Sequence, residues 1–312
     1  MAVYILRRLW QMVPTLAGVV LLIFVLFKLF GGDPAQILAG QVASQEQIDA
    51  IRRELGLDQP WYVQLGIFLR EILTFDWGKS WITREQVSHI FLTRLPATLT
   101  ITIPILLLEA SLAIPTAMIV AYYRGTLFDR AVMSICVAAM SISFLVYIIV
   151  GQYVFGFQLG WFPVQGWSDS FWKNLVTYAP LPILLAALVG LAPQTRLYRS
   201  FFLDETKSDY VRTARAKGLS EPAILRKHVL RNALVPVVTN ISLLIPGVFV
   251  GSFLLEIFFS VPGLGREIYL AVNRSDYPVI QAVTIYLAVL TMLINLAADV
   301  LYSFVDPRIQ LR

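Results

Sequence analysis

The sequence predicts an all-α integral membrane protein built from six transmembrane helices. Composition is the first reason: 57% of the 312 residues are hydrophobic and only 14% are charged, whereas a soluble domain carries about a quarter charged residues. Mean hydropathy is +0.70, so the chain has too little polar surface to clothe a core in water. The second reason is length. Six stretches each supply the ~20 apolar residues that a helix needs to cross the hydrocarbon core. The third is that Lys and Arg gather in alternate connections between those stretches, the charge asymmetry that orients membrane chains.

The first span is expected over Leu9–Phe30, behind the positive start Arg7–Arg8. Its apolar run is too long for a cleavable leader and no small-residue cleavage site follows, so it reads as a signal anchor. An outer segment over 31–95 comes next. In "SQEQIDAIRRELGL" Ser44 is placed to cap a helix with Gln47 at its third position, and Gly56 to end it in a left-handed conformation. In "QPWYVQLGIFLREILTFDWG" the apolar residues recur at helical spacing. With Trp61, Trp77 and Trp81 this part is expected at the membrane interface, where indole rings favour the headgroup level. It reads either as a structural cap over the spans or as a docking surface for an outer partner.

The remaining spans are expected over Pro96–Tyr123, Ala131–Phe157, Leu175–Thr195, Ala233–Phe259 and Val279–Val305. Fifteen of the 25 Lys and Arg residues fall on one side: the start, the loop "YYRGTLFDR", the connection 196–233 and the tail with Arg308 and Arg312. Both termini are therefore expected in the cytoplasm. Three domains follow: the start and first span (1–30), the outer segment (31–95) and a core of five spans (96–312) that includes the loop 196–233.

Several chemistries are excluded. No phosphate-binding G-x-x-x-x-G-K-[ST], no G-x-S-x-G and no H-E-x-x-H occurs, so an enzyme is not expected and energy for uphill movement must come from elsewhere. The single Cys136 precludes an internal disulfide. The formal charge of +5 follows membrane topology and not a soluble basic domain, so nucleic acid is not an expected partner. Ionisable residues inside spans are costly and mark function by default. Glu109 lies mid-span, Asp299 near the cytoplasmic end of the last span, and Glu256 near the outer end of the fifth, close enough to the surface to be partly hydrated. Glu109 reads either as a hydrogen-bonding partner of a neighbouring helix or as the carboxylate of a proton-coupled secondary transporter working alone. In the fifth span Pro246, Gly247 and Gly251 permit a kink and close helix approach, which makes them candidates for a translocation path.

The connection 204–233 is the most structured of the polar stretches. Ser208 or Asp209 can cap a helix running through Lys217, and Gly218 can supply the left-handed turn that ends it. Ser220 can cap a second helix with Pro222 in its first turn, and Ile224, Leu225 and Val229 fall on one face of it. Ala214 and Ala216 keep the first helix slim. A slim helix ending at a glycine corner fits a cleft on another protein; an interfacial loop whose Lys and Arg bind anionic lipid is the other reading of the same residues.

This block resembles the E-A-A-x-x-x-G loop of importer-type ABC permeases. Ala214, Gly218 and Leu230 match, while Arg212 and Thr213 stand where that pattern has Glu and Ala and Arg231 where it has Pro. The dipeptide/oligopeptide B-type branch fits more closely. "RRLWQMVPTL", "ELGLDQPWYVQ", "FDWGKS", "RLPATL", "YVRTARAKGLSE", "RNALVPVV", "VPGLG", "RSDYPV" and "DPRI" look like its signature segments and occur in order along nearly the whole chain. Glu109 is a departure, since that branch has an apolar or small residue there.

The resemblance implies a MetI-like permease fold in the bacterial inner membrane, with the first span peripheral to five others. It implies a partner C-type permease in a heterodimer, two ATP-binding subunits (or one fused or homodimeric pair), and an extracytoplasmic peptide-binding protein, besides membrane lipid. ATP and Mg would be bound by the partner subunits and no cofactor by this chain. Arg212, Thr213, Ala214, Arg215, Ala216, Lys217, Gly218, Leu219, Ser220 and Glu221 would form the ATPase-coupling helix and its corner, swinging the spans as a rigid body. Di- or oligopeptides are the implied cargo, with nickel, glutathione or another peptide-like solute as alternatives within the same class.

Overall fold

A computed structural model describes residues 2–30, 33–39, 43–74 and 76–305. Among the described residues the chain is helical throughout with no strand; the one isolated bridge joins Lys79 and Gln86. The helices are α1 (Ala2–Phe30), α2 (Pro34–Ala39), α3 (Gln45–Glu54), α4 (Trp61–Thr74), α5 (Val87–Tyr122), α6 (Leu127–Met140), α7 (Phe144–Gly151), α8 (Phe171–Lys173), α9 (Pro180–Glu205), α10 (Asp209–Ala216), α11 (Glu221–Ile224), α12 (Leu230–Val250), α13 (Phe253–Phe258), α14 (Leu264–Asn273) and α15 (Tyr277–Val305). Five are long and apolar enough to cross a membrane: α1, α5, α9, the run Glu221–Phe258 and α15. The number rises to six when the bent pair Leu127–Met140 and Phe144–Gln158, the latter continuing α7 through a π-helical stretch, is taken as one span.

Several expected boundaries move. The second span begins nine residues early, because Val87 and Ile90 are buried and carry the helix on from "RLPATL". The third is not straight: α6 and the following helix meet at 89° across Ser141–Ser143. Ser141 Oγ hydrogen-bonds the Val137 carbonyl at 2.9 Å, and such back-bonding competes with the helical ladder. The fourth span is displaced toward its C-terminal end. Pro180 opens α9 at a position where a missing N–H is harmless, and the helix runs on to Glu205, so the first ten residues of the supposed loop 196–233 are helical. The fifth begins early, at Glu221, and ends at Phe258, one residue short of the expected end, but it is interrupted at Gly251, whose φ of 76° and ψ of −170° stop α12. The tail with Arg308, Arg312 and "DPRI", and the side chain of Asp299, lie outside the described residues.

The chain forms two compact units. One comprises residues 1–96 and 264–312. Its centre is the packing of α1 on α15, with Val20 and Ile23 meeting Ile285, and α4 laid against both through Phe68 and Ile72. The predicted capping box at Ser44 and Gln47 is formed, and Gly56 adopts φ 65°. Asp276 of the "RSDYPV" segment is buried and holds the loop after "FDWG": it accepts from Ser80 Oγ at 2.5 Å and from the Trp81 N–H at 3.0 Å. Trp81 lies edge-on to Tyr277 at 5.5 Å, and Trp77 joins the apolar clusters. These two indoles are therefore internal packing groups, and only Trp61, 62% exposed, faces outward as an interfacial ring would.

The other unit, 97–263, contains most of α5 and everything through α13. Ala113, Ala117 and Ala121, spaced by one turn on α5, are buried against Tyr198 and Phe202 of α9 and against Val211, Ile224 and Val229. Small residues at this spacing let helix backbones approach closely. A second cluster joins Ile101, Ile148, Leu181 and Leu185 to Leu255 and Phe259.

Candidate functional site

The block 204–233 folds as a helix, a glycine corner and a second helix. Helix α10 ends with Lys217 as its C-cap, and Gly218 at φ 79° turns the chain. The Gly218 N–H reaches the Arg215 carbonyl at 2.9 Å, and Leu219 N–H reaches Ala214 at 3.3 Å, closing the left-handed cap. Ser208 and Ser220 stand at the two N-cap positions, but neither makes the side-chain capping bond expected of it. The corner is instead held by a bidentate pair, Arg215 Nε to Glu221 Oε1 at 2.5 Å and Nη2 to Oε2 at 3.1 Å, which spans the glycine. The Glu221 carboxylate keeps the Arg215 guanidinium protonated even more firmly than usual.

The second helix is not a separate element. From Glu221 it passes through a π-helical turn at Leu225–Val229 straight into α12. The inner side of the block is apolar: Val211, Ala214, Ile224, Leu225 and Val229 are buried in the cluster with α5 and α9. Ala214 thus faces inward and Leu219 is half-buried. Arg212, Thr213, Arg215, Ala216, Lys217, Gly218, Ser220 and Glu221 are exposed. Arg212 touches only the exposed Asp209, at 3.4 Å.

One support of this region is invisible in linear reading. Asp129, 4% exposed, accepts two hydrogen bonds from Arg199 (2.8 and 2.7 Å) and one from the Gly125 N–H (2.9 Å). The loop "YYRGTLFDR" is thereby fastened to α9. Arg199, counted above as a topological charge, is neutralised in this pair.

Among the path candidates, Glu256 departs most from expectation. It is 0% exposed and not hydrated. Its carboxylate accepts from Thr98 Oγ1 at 2.9 Å and lies in a cradle whose walls are Gly251 and Gly263; a Cβ on either glycine would collide with it. The reason is the chain reversal after α13, where Val261 N–H returns to the Glu256 carbonyl at 2.8 Å. A second bond, Thr102 Oγ1 to the Val248 carbonyl at 2.8 Å, ties α5 to α12 nearby.

Glu109, Gly247 and Gly251 come together, with Thr102, Gly190 and Ser252 among others, around a cavity of about 310 Å³. Pro246 and Glu256 do not line it. Glu109 is half-buried and lies against Gly190 of α9, where a side chain would occupy the same space as its carboxylate. Gly190 carried no signal in the sequence, since its importance depends on which residue faces it. Among the described residues no group of three His, Cys, Asp or Glu side chains is placed to hold a metal ion.

Two family models match the chain. Residues 113–311 match the binding-protein-dependent transport system inner membrane component, and residues 1–102 match the N-terminal part of such membrane components. The chain is 36% identical to the di/tripeptide transport system permease protein DppB of Pseudomonas aeruginosa, with 98% of each chain covered. It is 37% identical to the glutathione transport system permease protein GsiC of Salmonella choleraesuis, again over 98% of each. It is 32% identical to the dipeptide transport system permease protein DppB of Alkalihalophilus pseudofirmus, over 99% of this chain and 100% of the relative.

Proposed function

The chain belongs to the family of binding-protein-dependent transport system inner membrane components, and from that premise we propose that it is the B-type permease of an ATP-driven importer of short peptides. The names of its relatives support peptide or glutathione-like cargo. In this reading a homologous second permease completes the translocation path, two ATP-binding subunits sit on the cytoplasmic side, and an extracytoplasmic binding protein delivers the cargo. ATP and Mg are bound by those partner subunits. Both termini and the block 204–233 face the cytoplasm, in keeping with the distribution of Lys and Arg.

The observation that carries the proposal is the form of the corner. Eight exposed residues between Arg212 and Glu221 sit on a buried apolar base shared with α5 and α9, and the second half continues into α12 without a break. A surface that only met lipid headgroups would have no need of this rigid backing. A force applied at Gly218 by an ATPase would be delivered to several spans at once. Lipid contact remains available to Lys217.

The test is cross-linking in the assembled complex. Cysteine at Lys217 or Ser220 should form a disulfide with cysteines placed in the ATPase cleft, and the yield should change between nucleotide-free and ATP-trapped states. If these positions cross-link to no ATPase subunit and are labelled instead by lipid-phase reagents, the corner is a membrane-surface loop and the coupling assignment is wrong.

A further inference from the structure

The cavity beside Glu109 carries one formal charge, and nothing lining it neutralises that charge. Its wall is made by α5, α7, α9, α12 and α13, and apart from Glu109 every lining residue is uncharged. The nearby hydroxyl of Thr102 is already spent on the Thr98 and Val248 carbonyls. Among the described residues Glu109 forms no hydrogen bond or ion pair. The α9 side of the cavity is lined by Ala186, Val189 and Gly190, and the next turn of that helix carries polar groups outside the lining. Gly190, Gln194 and Tyr198 follow one another at one-turn spacing on one side of that helix. Gly190 lies against the Glu109 carboxylate, Gln194 Oε1 is buried and accepts nothing, and the Tyr198 hydroxyl donates to Asn240 Oδ1 at 3.2 Å. The Glu109 carboxylate thus stands without a donor inside a membrane span, where an uncompensated carboxylate is costly.

The missing partner is a cation small enough for about 310 Å³. A divalent metal would want six or more oxygens, and a single carboxylate falls far short. A protonated amine needs few acceptors and makes charge-assisted hydrogen bonds to each. We propose that Glu109 receives a protonated amine of the cargo as it crosses, so that Glu109 is a specificity-determining residue. This rests on the importer reading above and extends it from the class of cargo to the group of the cargo that is sensed.

The direct test is protection of Glu109 in the purified, membrane-reconstituted complex. Labelling of Glu109 by a lipid-soluble carbodiimide is followed by mass spectrometry in the presence of trialanine, trialanine amide or N-acetyl-trialanine. The two free-amine peptides should slow labelling by at least about tenfold and the acetylated one should not, the ratio expected when one member of a partly buried charge pair is lost. Equal protection by all three, or none, overturns the proposal. So does labelling that varies with pH and ignores cargo, since that marks a proton site. In ATP-driven uptake with saturating loaded binding protein, Glu109→Gln should lower kcat for free-amine peptides by a similar factor while the complex still assembles and keeps its thermal stability; an unchanged kcat overturns the proposal. A wild-type complex that protects Glu109 yet shows no ATP-driven uptake of any peptide would leave the amine site standing and refute the importer reading.

Discussion

Replacing Gly251 by Ala should unseat the Glu256 cradle. Gly251 has φ 76° and ψ −170°, a region that residues with a side chain scarcely enter, and forcing one there costs about 1–3 kcal/mol. The new Cβ would also stand 2.7 Å from Thr98 Cγ2 and on the Glu256 carboxylate. Thr98 and Glu256 must then separate, and losing a hydrogen bond to a charged group costs about 1.5–3 kcal/mol more. The total is about 2.5–6 kcal/mol, enough to lower the midpoint of thermal unfolding by many degrees. Gly247→Ala is the matched control. It lies four residues earlier on the same helix, with nothing within 4 Å of an added Cβ, and should be neutral or stabilising by about 0.5–1 kcal/mol. The assay is thermal unfolding of the purified chain in detergent, followed by the loss of monodisperse protein in size-exclusion chromatography. Equal midpoints for the two variants would refute the argument, because the reasoning depends on the difference in backbone angle and neighbours.

Arg199→Ala should strand the buried Asp129 carboxylate and destabilise the 97–263 unit by about 3–5 kcal/mol; the readout is faster protease cleavage near Gly125, and the double change Arg199→Met with Asp129→Leu should recover much of the loss. Gly218→Pro cannot adopt φ 79°, so uptake should fall to background while the complex still assembles, as judged by co-purification of the ATPase subunits; retained uptake would refute the coupling role. Glu221→Gln breaks an exposed ion pair, so stability should change by less than about 1 kcal/mol while uptake drops. In the unit 1–96 plus 264–312, burial and then the nearby Asp76 raise the Glu71 carboxyl above its usual range. An acid raised by folding favours the protonated native state, so this contribution is present below the ordinary carboxylate value and is lost as pH rises through the raised one. Glu71→Gln should therefore raise stability at neutral pH and flatten its decline between mildly acidic and neutral pH, measured by thermal unfolding across that range.

What could be read from the sequence was what is decided locally. The Ser44–Gln47 box, the Gly56 and Gly218 turns and the apolar spans all follow from residues within a few positions of one another. The bend at Ser141–Ser143 was not readable, because no Gly or Pro marks it and the serine bond that loosens the helix is one that serines often make without bending anything. The pairing of Asp129 with Arg199 joins residues 70 apart. Glu256 was misjudged for a related reason. Its place near the end of an apolar run suggests water, but the reversal through "VPGLG" folds the chain back over it. In the block 204–233 the helix–glycine–helix form could be read locally, and only the three-dimensional packing divides its residues into an exposed edge and the buried base that carries Ala214.

Between the two glycines with positive φ, Gly218 and Gly251, no residue has a positive φ, and from Glu221 onward the chain is helical. The helical run from Glu221 to Val250 is thirty residues long, or about 45 Å at the usual rise. It is a beam with a pivot at each end. The exposed corner and the Glu256 cradle stand at opposite ends of it, too far apart for direct contact. A tilt of only about 5° about one pivot, however, displaces the other end by about 4 Å over a rod of this length. The corner and the cradle are therefore tied by geometry alone. Whatever turns Gly218 must also load the crowded backbone at Gly251, where there is no room for even one additional methyl group.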